Sequence, residues 1–109
     1  GPTSLQTKQD LVWHVRQIIH AAPVSGIVVD LMAMADRPDA VPRLRTISCP
    51  TLVLVGQEDN TTPIVDSQLM AEEIPDARLA IIPSAGHLSS LEQPDVFNDL
   101  VKGFVEGLR

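Results

Sequence analysis

The stretch that decides the fold is residues 51–55, TLVLV, which lies between a proline and a glycine. Short, continuous apolar runs rich in β-branched residues are typical of strands buried on both faces, and such strands belong to parallel sheets. A second run of this kind, LAII, covers residues 79–82. Between the two runs, Thr62 and Pro63 predict a helix start, with the threonine hydroxyl as the cap and proline in the first turn.

A last helix is predicted from Pro94 to Leu108, where apolar residues recur at helical spacing. The order from residue 51 onward is therefore strand, helix, strand, helix. A strand–helix–strand unit with a short crossover is parallel and right-handed in nearly all known cases. We therefore predict an α/β fold for residues 48–109, built as one C-terminal βαβα unit.

Two amphipathic helices are predicted ahead of this unit, within residues 4–47. Thr7, followed three positions later by an acid, predicts the start of the first helix, and Pro23 ends its apolar stripe. The second helix is predicted to begin at Ser25, and each helix is expected to bury one face. Residues 1–3 begin with Gly-Pro, which resembles the remnant of a cleaved tag, so we expect a flexible start there.

Composition excludes several classes of protein. The chain has 109 residues, a hydrophobic content of 44% and a net charge of −6, which predict a single folded domain with no nucleic-acid or anionic-membrane partner. No run of about 18 apolar residues occurs, so no membrane span is expected. The single cysteine, Cys49, cannot form an internal disulfide, and we therefore expect a cytoplasmic location.

Two ionisable side chains are predicted at one edge of the sheet. Asp59 follows the first strand, and His87 lies in the loop after the second strand. Parallel neighbours end at the same edge about 5 Å apart, so the two loops can bring carboxylate and imidazole within hydrogen-bonding reach. The carboxylate would fix the tautomer of the ring and leave its other nitrogen as a general base. A turn role for Asp59 and a capped-loop role for His87 are the alternatives.

The residues around this pair also resemble a known family. Residues 49–59, CPTLVLVGQED, resemble the penultimate strand and acid loop of the α/β-hydrolase fold. Residues 85–95, AGHLSSLEQPD, resemble its catalytic-histidine loop and the start of its last helix. The pattern is similar to that of 3-oxoadipate enol-lactonases and related ester hydrolases. The resemblance implies a C-terminal fragment of this fold, in which residues 4–47 are cap-like helices, Asp59 is the triad acid and His87 the triad base.

The third member of such a triad is not found in the sequence. The nucleophile of the family lies on a G-x-S-x-G elbow, and no such pentapeptide occurs in the 109 residues. The resemblance therefore implies the acid–histidine half of a serine-type hydrolase, inactive alone, whose small-molecule ester or lactone substrate requires an N-terminal half. No cofactor or metal is implied. Trp13, Met32 and Met34 are weaker candidates for a substrate pocket under the cap, with ordinary packing as the alternative for the methionines.

A noncatalytic role is the alternative function. In the family, the strand at residues 51–55 pairs with a neighbour from the preceding part of the sheet. Without that neighbour, its open edge is a template for pairing with another chain. We therefore expect a homo-oligomer or a complex with a complementary fragment, and a self-associating fragment or assembly domain is the second hypothesis.

Overall fold

The computed structural model describes residues 1–108 and has two strands that pair in parallel. The helices and strands are, in chain order, α1 (Pro2–Thr7), α2 (Gln9–Ala21), α3 (Val24–Ala35), α4 (Val41–Leu44), β1 (Thr51–Gly56), α5 (Ile64–Glu73), β2 (Ala77–Ile82), α6 (Ser89–Glu92) and α7 (Pro94–Glu106). The predicted α/β class and its parallel strand–helix–strand unit are therefore confirmed.

The core lies around the sheet and the loop that follows β2. Its buried apolar residues are Val53, Val55, Ile74, Ile82 and Ala85. Side chains alternate along a strand, so Val53 and Val55 share one face of β1, while the leucines of the other face are only partly covered. The prediction of a strand buried on both faces is thus correct for one face only, because a sheet of two strands is too narrow to be covered completely.

Both strands end together, and this register positions the two loops that follow. Gly56, the last residue of β1, pairs with Ile82, the last residue of β2. A side chain at Gly56 would overlap the carbonyl oxygens of Ala85 and Gly86, so only glycine permits this approach of the β2 loop to β1. The loops after β1 and β2 therefore run side by side at one edge of the sheet.

The beginning of the chain differs from the prediction. Pro2 starts α1, and the backbone N–H of Thr3 donates a hydrogen bond of 2.9 Å to Glu58, so residues 2 and 3 belong to a helix that contacts the loop after β1. Proline suits the first helical position because its φ is already near the helical value. Thr7 does not cap the next helix; it ends α1, and its hydroxyl donates to the carbonyl oxygen of Thr3 at 2.8 Å.

The burial predicted for the next two helices is wrong. No residue of α2 or α3 is fully buried, and three residues of the faces predicted to be buried, Ile19, Leu31 and Met34, are 59%, 57% and 66% exposed. The reason is that α2 packs mainly against the short α1. Within residues 1–108, no layer of helices or strands covers the apolar sides of α2 and α3. No single helix of residues 1–108 has the length and apolar character to cross a bilayer. Only α2 and α3 taken together have that length and character, and a bend of 95° separates them.

Candidate active site

The loop after β1 holds Asp59 by hydrogen bonds to both of its carboxylate oxygens. Oδ1 accepts from the backbone N–H groups of Thr61 at 2.8 Å and Thr62 at 2.9 Å. Oδ2 accepts from the hydroxyl of Thr62 at 2.8 Å. Asp59 therefore does make the turn contacts that its position after a strand indicates. The two backbone contacts are both to Oδ1, and Oδ2 has room for a further donor beside the Thr62 hydroxyl.

That further donor is His87, in the loop after β2. Its Nδ1 lies 2.9 Å from Oδ2 of Asp59 and 3.2 Å from the hydroxyl of Thr62. An ionised carboxylate can only accept a hydrogen bond, so Nδ1 carries the proton and Nε2 of the neutral ring has a free lone pair. The Asp59 side chain is 5% exposed and that of His87 is 50% exposed. The structure thus joins the two predicted residues as a buried acid and an accessible imidazole.

The carboxylate of Asp59 stays ionised although it is buried. Burial acts to raise the pKa of Asp59, but hydrogen bonds from the Thr62 backbone, the His87 ring, the Thr62 hydroxyl and the Thr61 backbone together hold this pKa well below its ordinary value. The negative charge therefore persists beside Nδ1, where it orients the imidazole.

Thr62 is a site residue that the sequence analysis placed in a different role. We predicted its hydroxyl as the cap of the following helix, but α5 begins after Pro63 and has no side-chain cap. The hydroxyl instead donates to Oδ2 of Asp59, and a hydrogen bond to a charged acceptor is stronger than one to a neutral acceptor. The spacing of a hydroxyl residue three positions after an acid was the available signal.

Glu92 is a second residue near the site that the sequence pattern did not identify. It is 4% exposed at the end of α6, and its Oε2 accepts a hydrogen bond of 2.7 Å from the backbone N–H of Gly86, the residue before His87. The signal in the sequence was an acid at the end of a short, otherwise uncharged turn that follows the histidine.

An apolar cavity of about 330 Å³ adjoins His87. The apolar stripe of α2 lines it, so the side chains predicted as helix core form a wall of this cavity. Those side chains are Leu11, Val12, Val15 and Ile19. Trp13 and Met32 do not reach it and are 64% and 62% exposed, while Met34 lines a separate cavity of about 510 Å³. The predicted substrate contacts of these three residues stay predictions.

Within residues 1–108, no group of three or more histidine, cysteine, aspartate or glutamate side chains is arranged to hold a metal ion.

Residues 4–100 match the family model described as the alpha/beta hydrolase family. The chain is 37% identical over 105 residues to 3-oxoadipate enol-lactonase 2 of Acinetobacter baylyi, covering 96% of this chain and 39% of that protein. It is 33% identical over 93 residues to 3-oxoadipate enol-lactonase 1 of the same organism, covering 85% of this chain and 34% of that protein.

Two solved structures are also similar to this chain. A thermophilic esterase from Thermogutta terrifontis matches with a TM-score of 0.93 at 34% identity, over 98% of this chain and 39% of that one. A hydrolase from Pseudomonas aeruginosa PA01 matches with a TM-score of 0.86 at 32% identity, over 96% of this chain and 39% of that one.

Fold and matched residues together place the chain in the α/β-hydrolase fold class. The chain belongs to the alpha/beta hydrolase family, and its relatives include proteins named as ester and lactone hydrolases. The predicted resemblance is therefore confirmed. The chain spans less than two fifths of the length of the relatives described here.

Proposed function

We propose that this chain provides the acid and the base of a serine-type hydrolase that acts on carboxylic esters or lactones. The observation that carries the proposal is the 2.9 Å contact between Oδ2 of the buried Asp59 and Nδ1 of the half-exposed His87. Within residues 1–108, no hydrogen bond occupies Nε2 of His87, so this nitrogen is available to take a proton.

The mechanism that fits this pair is acyl transfer. Nε2 of His87 removes the proton of a serine hydroxyl as the oxygen attacks the substrate carbonyl, and Asp59 stabilises the imidazolium that forms. The imidazolium then protonates the leaving oxygen, and a water molecule repeats the sequence to release the acid. No G-x-S-x-G elbow occurs in the 109 residues, so we propose that the serine is supplied from outside them and that the chain alone does not turn over.

Two observations support esters or lactones as the substrate class. The relatives include two proteins named 3-oxoadipate enol-lactonase and an esterase. The wall that α2 gives to the cavity beside His87 consists largely of apolar side chains, which suit the hydrocarbon part of such a substrate. We also propose a cytoplasmic location, because the single cysteine, Cys49, is compatible with a reducing compartment.

The test is complementation of the missing serine. Hydrolysis of p-nitrophenyl acetate is measured for the chain alone and for the chain mixed with the part of 3-oxoadipate enol-lactonase 2 that precedes the matched segment. Alone, the chain, His87→Ala and the control His20→Ala should show the same slow rate, since free imidazoles cleave activated esters. In the mixture, we expect a faster rate that His87→Ala lowers by about 10²- to 10⁴-fold.

Asp59→Asn should lower the restored rate as well, while His20→Ala should not. A mixed sample that hydrolyses the ester equally fast with and without His87 would contradict the proposal. Activity of the chain alone that disappears in His87→Ala would contradict the proposal that its serine comes from outside.

A second candidate function, self-association as an assembly unit, is favoured by the exposed apolar surface of α2 and α3. Trp13, Leu31 and Met34 are 64%, 57% and 66% exposed, and within residues 1–108 each strand of the sheet has one unpaired edge. We propose a homo-oligomer or a complex with a complementary fragment. Size-exclusion chromatography with light scattering should give a mass above that of one chain, and Leu31→Glu should lower it. A monomer at high concentration would contradict this proposal.

A further inference from the structure

Glu92 is one of two carboxylates that the structure buries within residues 1–108, and the other is Asp59. Burial of a charge is costly unless hydrogen bonds compensate it. Oε2 of Glu92 accepts from the backbone N–H of Gly86 at 2.7 Å, and its other oxygen contacts the amino group of Gly1. The side chain therefore reaches back from the end of α6 to the loop that carries His87.

The peptide group between Ala85 and Gly86 is held at both of its polar atoms. Its oxygen accepts a hydrogen bond of 2.7 Å from the N–H of Glu58, and its N–H donates to Glu92. Glu58 directly precedes Asp59, and Gly86 directly precedes His87. One peptide group thus ties the backbone of the base to the backbone of the acid, and Glu92 fixes it from the opposite side.

These two hydrogen bonds to the Ala85–Gly86 peptide group matter because the ring of His87 is half exposed and makes few contacts of its own. Its hydrogen-bonding contacts in residues 1–108 are with Oδ2 of Asp59 and the hydroxyl of Thr62, both through Nδ1. A 2.9 Å contact at the end of a loop side chain is kept only if the backbone below it is fixed.

We propose that Glu92 is a positioning residue, which holds the Ala85–Gly86 peptide so that His87 meets Asp59 through Nδ1. The importance of this role for catalysis rests on the proposed function, but the placement of the ring does not. Glu92 is not proposed to react with substrate, because its hydrogen bond in this loop goes to a backbone N–H.

The ionised form of Glu92 suits this role. Burial acts to raise the pKa of Glu92, but hydrogen bonds from the amino group of Gly1, the side chain of Ser4 and the N–H of Gly86 hold it below the ordinary value. A carboxylate makes a stronger hydrogen bond to an amide than a neutral oxygen does. A Cβ placed on Gly86 would overlap the backbone of Gly1 and come 3.2 Å from Oε2 of Glu92, so glycine leaves room for both groups.

The experiment reads the tautomer of His87 from the ring ¹⁵N resonances of the full chain, at a pH where the ring is neutral. The wild-type chain and Glu92→Gln, which keeps an acceptor oxygen, should show the Nδ1–H form. Glu92→Ala should lose that form in favour of a mixture with Nε2–H. Glu73→Ala, which breaks an exposed pair with Arg45, is the control and should leave the spectrum unchanged.

Asp59→Asn separates the two proposals. If it changes the ring spectrum and Glu92→Ala does not, the proposed role of Glu92 is wrong and the Asp59–His87 pair stands. If Asp59→Asn leaves the spectrum unchanged, the pair itself is absent and both proposals are overturned. A changed spectrum in both variants, without ester hydrolysis in the complementation test, upholds Glu92 and overturns the proposed function.

A measurement without substitution covers the case in which Glu92→Ala does not fold. Amide hydrogen exchange of Gly86 in the unmodified chain should be slower than that of an unbonded amide by about tenfold to a hundredfold, as expected for a hydrogen bond to a charged acceptor. Exchange of Gly86 at the unbonded rate would overturn the proposal.

Discussion

Gly56, the last residue of β1, lies directly against the carbonyl oxygen of Gly86, the residue before His87. This contact joins the two loops that carry the proposed acid and base. Glycine is required at position 56 because a side chain there would overlap the carbonyl oxygens of Ala85 and Gly86 and push the loops apart. The separation of Asp59 and His87 therefore depends on residues that take no part in their hydrogen bond.

The first prediction concerns that contact. Gly56→Ala should lower the free energy of unfolding by about 1–3 kcal/mol, because the added methyl group meets backbone atoms that have little freedom to move. Urea denaturation measures the loss. Gly103→Ala is the matched control: it lies inside α7 with open space around its Cβ position, and it should raise stability by about 0.5–1 kcal/mol. Equal effects of the two variants would contradict this account.

The second prediction concerns the hydroxyl of Thr62. Thr62→Val keeps the shape of the side chain but removes the 2.8 Å hydrogen bond to Oδ2 of Asp59. We expect a loss of about 1.5–3 kcal/mol in unfolding free energy, because the acceptor is charged and buried. Thr46→Val removes an exposed hydrogen bond to a neutral carbonyl and should cost less. A Thr62→Val chain as stable as the wild type would show that this hydroxyl is dispensable.

The third prediction concerns pH. The folded state lowers the pKa of Asp59, so its ionised carboxylate contributes stability that is fully present above the unfolded pKa and is lost as pH falls toward the folded one. The stability difference between the wild-type chain and Asp59→Asn should therefore be larger at about pH 5 than at about pH 3, because it shrinks as the pH falls below about 4. Chemical denaturation at several pH values checks this. A difference that grows on acidification would reverse the assigned sign.

The fourth prediction concerns Ser84, which has a φ of 54° in the turn between β2 and the histidine loop. Left-handed backbone is unfavourable for a residue with a side chain, so Ser84→Gly should raise stability by about 0.5–1 kcal/mol. Ser90→Gly, at an exposed position of helix α6, should lower stability instead. Thermal unfolding distinguishes the two signs, and a stabilising Ser90→Gly would undermine the comparison.

The parts of the fold that were predictable are those set by local patterns. The apolar run at 51–55 and prolines at element boundaries located the strands and α5, because short-range sterics and hydrophobic patterning act within a few residues. The caps at Thr7 and Thr62 were predicted wrongly. Their hydroxyls donate to the carbonyl oxygen of Thr3 and to Asp59 and do not cap the helices that follow, and this choice of partner depends on folded geometry.

The candidate site divides in the same way. Asp59 and His87 were expected at one sheet edge because parallel strands end together. The positions of Thr62 and Glu92 around them were not expected, since neither residue lies in a pattern that distinguishes a site contact from a cap or a solvated acid.

The sequence by itself therefore determined the α/β class, the parallel strand–helix–strand unit and the placement of an acid and an imidazole after successive strands. Only the tertiary structure decided that Asp59 receives four hydrogen bonds, that Glu92 is buried behind the histidine loop, and that α2 and α3 leave their apolar residues exposed. The physical reason is that strand formation follows from local preference, whereas burial and the choice among hydrogen-bond partners depend on which distant residues folding brings within about 3 Å.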